Sequence, residues 1–199
     1  MRLHFLSTAV TSIVTLSPLS ITTAYASDYD VDPAHSSVRF EVKHLGIATV
    51  DGKFKQISGT FSFDEKKQAN SSGAAKVEIK SIDTGIDARD NHLKGDDFFS
   101  ADKFPEATFK TKKIIPGTKD AFKVLGDLTI RDKTKEITFD AKYLGQMKGM
   151  DGIPRAAFEA SATVNRMDFG LGWNKLVEAT PVVGKDVKIT IHVEALPKK

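Results

Sequence analysis

The stretch SSVRFEVKH (residues 36–44) decides the fold, because apolar and charged side chains alternate from Val38 to Lys43. Val38, Phe40 and Val42 share one face, and charged residues fill the positions between them. A period of two is typical of a β-strand with one buried face. Since His44 has the same parity as Val42, the pattern also points this histidine inward.

The same alternation recurs along most of the chain, and turn residues separate the runs. Asn70-Ser71-Ser72-Gly73, Pro116-Gly117 and residues 131–134 are three such turns, and the last is typical of a hairpin loop. No run has the spacing of a βαβ unit. We therefore predict one antiparallel all-β domain of about eight strands. Apart from residues 36–44, the alternating runs cover residues 57–63, 76–80, 107–110, 122–130, 137–139, 156–164 and 187–194.

Either a β-sandwich or a closed barrel would give one-sided alternation of this kind. The inward positions include small residues such as Ala107, Gly126, Ala156, Ala160 and Ala162. Small residues leave space between the larger phenylalanines, which favours an eight-stranded barrel with an elongated apolar cavity. Alanine also occurs in filled cores, so a sandwich stays an alternative at this point.

One segment, ARDNHLKGDDFFS (residues 88–100), predicts a short helix rather than a strand. Asp87 is a suitable N-cap, and residues 88–97 contain neither proline nor a β-branched side chain. Leu93, Phe98 and Phe99 give the segment a small apolar patch. We expect this helix to border one end of the barrel.

Residues 1–26 predict a cleavable signal peptide, since a mostly apolar, uncharged run ends in Ala24-Tyr25-Ala26, the small-x-small pattern of a cleavage site. We therefore expect export to the periplasm and one mature domain over residues 27–199. Removal of 26 of the 199 residues leaves 173, with 28 basic and 26 acidic side chains and no cysteine. Acidic and basic residues are interspersed, which does not suit nucleic-acid binding. No later stretch is apolar enough to span a membrane.

Catalytic and metal motifs are weak in this sequence. His35, His44 and His92 could converge on a metal, but they lack the spacing of a ligand motif, so we predict no metal site. There is no cysteine and no GxSxG nucleophile motif. The glycine-rich run at residues 170–175 does not connect a strand to a helix, and we interpret it as a loop.

Five blocks of the sequence resemble the YceI-like family of periplasmic proteins. They are DPAHSSVRFEVKHLGIATVDGKF, ARDNHLKGDDFF, FPEATF, GDLTIRDKTKEI, and NRMDFGLG followed by VGKDVKITIHVEA. In order, they cover essentially the whole mature chain. The family usually has glycine where this chain has Asp132, and we expect the hairpin to survive because aspartate tolerates a left-handed turn.

The resemblance implies a lipocalin-like barrel whose tunnel holds a long isoprenoid chain, as in a polyprenyl phosphate or an isoprenoid quinone, or another lipid. It implies no further cofactor, and a homodimer is one expectation because some members are dimeric. We assign the polar mouth of the tunnel to His44, Arg89, His92 and Arg166. The apolar lining is assigned to Val38, Phe40, Val42, Phe61, Phe109, Val124, Leu128, Phe139, Phe158, Ala160, Phe169, Ile189 and Ile191.

Two other functions stay open from the sequence. Arg89, Asp90 and His92 could serve an enzyme that acts on a lipid or quinone head group. The domain could also be a stress-related surface or adhesion module, although inward small residues favour an internal site. We predict a lipid-binding protein for sequestration or transport, and not an enzyme.

Overall fold

A computed structural model describes residues 27–174, 176–177 and 180–198. These residues form thirteen strands, one α-helix and three short 3-10 helices. The predicted signal peptide, residues 1–26, lies outside them. The helix α1 spans Asp87–Lys94, and the strands are β1 (Ser27–Val31), β2 (Ser37–His44), β3 (Ala48–Phe54), β4 (Ile57–Phe63), β5 (Ser72–Glu78), β6 (Ile82–Asp83), β7 (Glu106–Pro116), β8 (Ala121–Ile130), β9 (Lys133–Lys148), β10 (Pro154–Asn165), β11 (Leu176–Val177), β12 (Thr180–Pro181) and β13 (Val183–Pro197).

Eight strands close into an antiparallel barrel in the order β1-β4-β5-β7-β8-β9-β10-β13, and β13 pairs with β1 to complete the ring. The barrel predicted from the alternation is therefore confirmed, and the sandwich alternative is wrong. The strands β2, β3 and β6 extend the sheet beyond β13. In the described part of the chain, the short β11 and β12 pair with each other.

The long strand β13 makes the closure possible because it has partners on both edges. One edge pairs with β10 from Ala195 back to Asp186. The other edge pairs with β2 in its first part and with β1 at Ala195, Leu196 and Pro197. One strand thus joins the last part of the sheet to the first, and the alternating apolar face becomes the inside of a closed wall.

An aromatic cluster fills one end of the barrel, which we call the aromatic end. The ring centroid of Phe63 lies 5.1 Å from that of Tyr143, 5.0 Å from that of Phe158 and 5.7 Å from that of Phe122. Edge-to-face and tilted pairs at these distances are favourable. Ala156 and Ala195 face each other across β10 and β13 in this cluster, and both are fully buried.

The opposite end, which we call the helix end, is covered by α1 and the segment after it. Leu93 and Phe99 pack against a buried cluster that includes Ile79, Ala101 and Phe169. Phe98 is itself buried. The predicted position of the helix at one end of the barrel is therefore confirmed.

Two local predictions were wrong. Asp87 is the first helical residue rather than the N-cap, which is Ile86, and the helix ends at Lys94 because Gly95 is extended. The hairpin between β8 and β9 forms, but its left-handed residue is Arg131 (φ 57°) and not Asp132. The Arg131 guanidinium donates to the carbonyl oxygens of Phe98 and Gly170, and these bonds hold it in that conformation.

We predict that Phe63→Ala destabilises the barrel strongly, because it leaves a void among three aromatic rings. Removal of a buried phenylalanine ring costs about 3–5 kcal/mol. Urea unfolding followed by circular dichroism measures this loss. The neighbouring Ser62→Ala is the control, and equal midpoints for the two variants would contradict a packed aromatic end.

Candidate functional site

Between the two ends lies an apolar cavity of about 340 Å³. Its wall consists almost entirely of apolar side chains from the barrel strands and from β2 and β3, together with Leu93, Phe98 and Phe99 from the helix end. At the other side it reaches Phe63 and Phe122 of the aromatic end. The cavity is thus an internal, largely dry space that suits an apolar molecule.

The structure places all thirteen predicted apolar residues on the wall of this cavity. Period-two alternation located twelve of them because a closed sheet turns one whole face inward, whereas Phe169 lies in the 3-10 helix Arg166–Phe169 after β10. Leu171 and Val183 also line the cavity, and the prediction missed both. Leu171 belongs to the glycine-rich loop, and Val183 lies at the first residue of β13, where alternation gives little signal. Whether these residues contact a ligand stays a prediction.

Arg166 is the one residue of the predicted polar mouth that lines the cavity. It is only 4% exposed. Its guanidinium donates to the carbonyl oxygens of Gly184 (2.8 Å), Val183 (3.0 Å), Trp173 (3.0 Å) and Leu171. Burial lowers the pKa of the Arg166 guanidinium. These four bonds tie the end of β10 to the loop after it and to the start of β13.

Arg89 lies away from the cavity wall and holds the loop before the helix. Its Nε donates to Thr84 Oγ1 at 2.8 Å, and its Nη2 donates to the Thr84 carbonyl at 2.7 Å. The buried Asp90 carboxylate accepts the Thr84 amide at 2.9 Å and also the Thr84 hydroxyl. Because Arg89 and Asp90 both bind Thr84, their contacts position α1 on the barrel.

His92 and His44 also lie outside the cavity wall. The His92 ring packs edge-on against Phe98 and Trp173, with centroid distances of 5.1 and 5.0 Å. Its Nε2 lies 2.9 Å from an oxygen of Asp97. His44 is half-buried and ends β2 opposite Val183. Neither histidine itself lines the cavity. Contact between a ligand and either histidine stays a prediction.

Asp32, His35 and Glu194 form a cluster of possible metal ligands that sequence reasoning did not find. His35 Nδ1 lies 2.8 Å from Asp32 Oδ2 and 3.7 Å from Glu194 Oε1. Arg155 Nε lies 3.0 Å from the same Glu194 oxygen. The hydrogen bond to Asp32, helped by the Glu194 charge, raises the pKa of His35. These contacts form an ion-pair network on the surface, and this network explains why the three side chains lie together.

We predict that Arg166→Met lowers the free energy of unfolding by about 2–4 kcal/mol, because the buried guanidinium is lost and the carbonyl groups of Leu171, Trp173 and Gly184 lose this donor. Chemical denaturation measures the change. The exposed Arg39→Met, which removes the same charge, is the matched control and is expected to have little effect. A stable Arg166→Met protein would show that the guanidinium is not structural.

Comparison with known proteins agrees with this architecture. A YceI-like domain matches residues 29–195. A UPF0312 protein of Vibrio parahaemolyticus is 36% identical over 179 residues, which cover 88% of this chain and 90% of that protein. The crystal structure of BcnA from Burkholderia cenocepacia superposes with a TM-score of 0.74 at 27% identity, over 82% of this chain and 98% of BcnA.

A second solved structure shares the fold at lower identity. It is a polyisoprenoid-binding domain from Saccharophagus degradans implicated in plant cell wall breakdown. The TM-score is 0.62 at 15% identity, over 87% of this chain and the whole of that domain. The YceI-like domain matches nearly all the described residues, and the structure is a closed barrel with an apolar cavity. The chain therefore belongs to the YceI-like family.

Proposed function

We propose that this protein binds a long-chain isoprenoid amphiphile, such as a polyprenyl phosphate or an isoprenoid quinone, in the apolar cavity. The observation that carries the proposal is the large internal space with apolar walls. The Saccharophagus degradans domain with this barrel fold is described as polyisoprenoid-binding, which agrees with the proposal. The bound chain would fill the space between the aromatic end and the helix end.

The energetics favour an occupied cavity. At about 24 cal/mol per Å³ of unfilled volume, an empty space of about 340 Å³ costs roughly 8 kcal/mol, as much as the whole stability of many domains. A bound chain recovers about 0.8 kcal/mol for each buried CH₂ group. Several isoprene units therefore offset the entropy that is lost when the chain is ordered.

Sequestration or transport in the periplasm is the role that we propose. The apolar run and the Ala24-Tyr25-Ala26 pattern in residues 1–26 support export. No helix in the described ranges is long and apolar enough to cross a membrane. A carrier of this kind shields an apolar chain from water. A homodimer stays a prediction.

Binding without catalysis is favoured over the enzyme alternative by the contacts of the Arg89, Asp90 and His92 group. Arg89 and Asp90 are engaged with Thr84, and His92 is packed between Phe98 and Trp173. The hydrogen bonds of Arg89 and Asp90 go to Thr84, that of His92 goes to Asp97, and these three residues are not among those that line the cavity. The group therefore supports a structural role for these residues.

We predict that protein purified without detergent carries an isoprenoid lipid, because an empty apolar cavity is costly. Native mass spectrometry would detect the bound mass, and extraction in organic solvent would identify it. The proposal fails if the barrel is empty and also takes up neither a polyprenyl lipid nor a quinone.

We also predict that Ala160→Phe reduces the amount of bound lipid, because the new ring projects into the cavity that Ala160 lines. Thr163→Phe is the matched control, since Thr163 lies on the same strand with its side chain exposed. The molar ratio of lipid to protein after reconstitution is the measurement. Equal loading of both variants would place the ligand elsewhere.

A further inference from the structure

The pairing between β5 and β7 ends before the two strands reach the aromatic end of the barrel. Their ladder ends at the pair Ala74 and Lys110. Beyond it, Ser72 and Gly73 pair only with β4, and β7 is irregular between Thr111 and Lys113. Toward the aromatic end the two strands are no longer paired, although the 3-10 helix Gln68–Asn70, which precedes β5, lies against β7. We call this region the fork.

A second space, of about 380 Å³, lies at the fork and adjoins the apolar cavity. Six residues border both spaces: Phe61, Ser62, Ser72, Gly73, Ala74 and Thr111. All of them except Phe61 have small side chains, so the wall between the two spaces is thin here. The second space has a mixed polar and apolar lining, and we call it the polar groove.

Two lysines give the polar groove its charge. Lys110 and Lys198 line it together with a single carboxylate, that of Asp28. Among the described residues, neither lysine takes part in a salt bridge. The Lys198 amide donates to the Asp28 carbonyl at 2.8 Å, which fixes the end of the chain beside the groove. The groove thus offers two ammonium groups to a negatively charged ligand.

The two ends of the barrel are less suited than the polar groove to binding a charged head group. Aromatic rings fill one end, and the apolar side chains of Leu93 and Phe99 cover the other. Arg166 and Lys76 are cations on the cavity wall, but Arg166 already donates to four backbone carbonyls and Lys76 forms an ion pair with Glu106. A head group at the fork would instead meet cations that are not engaged by acids of the described chain.

We propose that the fork is a lateral portal, and that the polar groove binds an anionic head group of the phosphate class while the apolar chain lies in the cavity. This inference rests on the proposed function, because it needs a chain in the cavity. Ammonium groups form charge-assisted hydrogen bonds with phosphate oxygens. The small residues at the fork leave room for the chain to pass from one space to the other.

The first test compares geranylgeranyl monophosphate with geranylgeraniol, which share one chain and differ in head-group charge. Lys110→Glu/Lys198→Glu is expected to weaken binding of the phosphate about tenfold at low salt, since two partly exposed charge contacts become repulsive. Binding of the alcohol is expected to stay unchanged. Isothermal titration calorimetry measures both affinities, and added salt should reduce the difference.

Lys135→Glu/Lys185→Glu is the matched control, because it makes the same change in charge at two exposed sites near the helix end. An unchanged phosphate affinity in the Lys110/Lys198 variant, or a larger loss in the control, overturns the head-group site. In either case binding of the alcohol by the wild type would leave the proposed function intact. If the wild type binds neither molecule, the proposed function fails and this inference fails with it.

The second test addresses the portal. The chain has no cysteine, so Ala74→Cys and Ala88→Cys each give a single labelling site, at the fork and on α1 respectively. Both alanines are exposed. A bulky maleimide at position 74 is expected to slow uptake of geranylgeraniol, and the same label at position 88 is not. Slower uptake with the label at position 88 alone would place the portal at the helix end.

Discussion

Closure of the sheet through β13 is the constraint on which the rest of the structure depends. This strand pairs with β10 on one edge and with β2 and β1 on the other. Once the sheet is closed, every inward side chain must share one enclosed volume. The sizes of those side chains then determine which part of the volume is filled and which part stays open.

The distribution of side-chain volume follows from this geometry. At the aromatic end, Phe63, Phe122, Tyr143 and Phe158 pack against each other. Nearer the middle, small residues such as Ala107 and Ala160 contribute little volume and a cavity remains. Apolar walls exclude water from such a space, since a buried water needs polar partners. The same chain therefore contains both a packed core and an apolar cavity.

The apolar wall of the cavity could be predicted from the sequence, whereas the roles of the polar residues near it could not. Alternation located the apolar wall, because parity along a strand fixes which face turns inward. It could not separate Arg166, which lines the wall, from Arg89, which binds Thr84 outside it. Parity does not determine which polar atoms meet near the helix, even though Arg89, Asp90 and His92 bind partners only five or six residues away. The bonds from Arg166 to Val183 and Gly184 join segments that have no shared sequence pattern.

The sequence by itself determined the all-β class, the inward face of each main strand and the presence of one short helix, because these depend on local periodicity and residue type. The five family blocks also indicated the barrel. Only the tertiary structure decided that β13 closes the ring, that Arg89 and Asp90 anchor the helix, and that the pairing of β5 with β7 ends beside Lys110 and Lys198. Closure of the ring and the end of the β5–β7 pairing depend on residues that are far apart in the chain, about which local patterns carry no information. The helix anchor depends on side-chain geometry at Thr84, which periodicity does not encode.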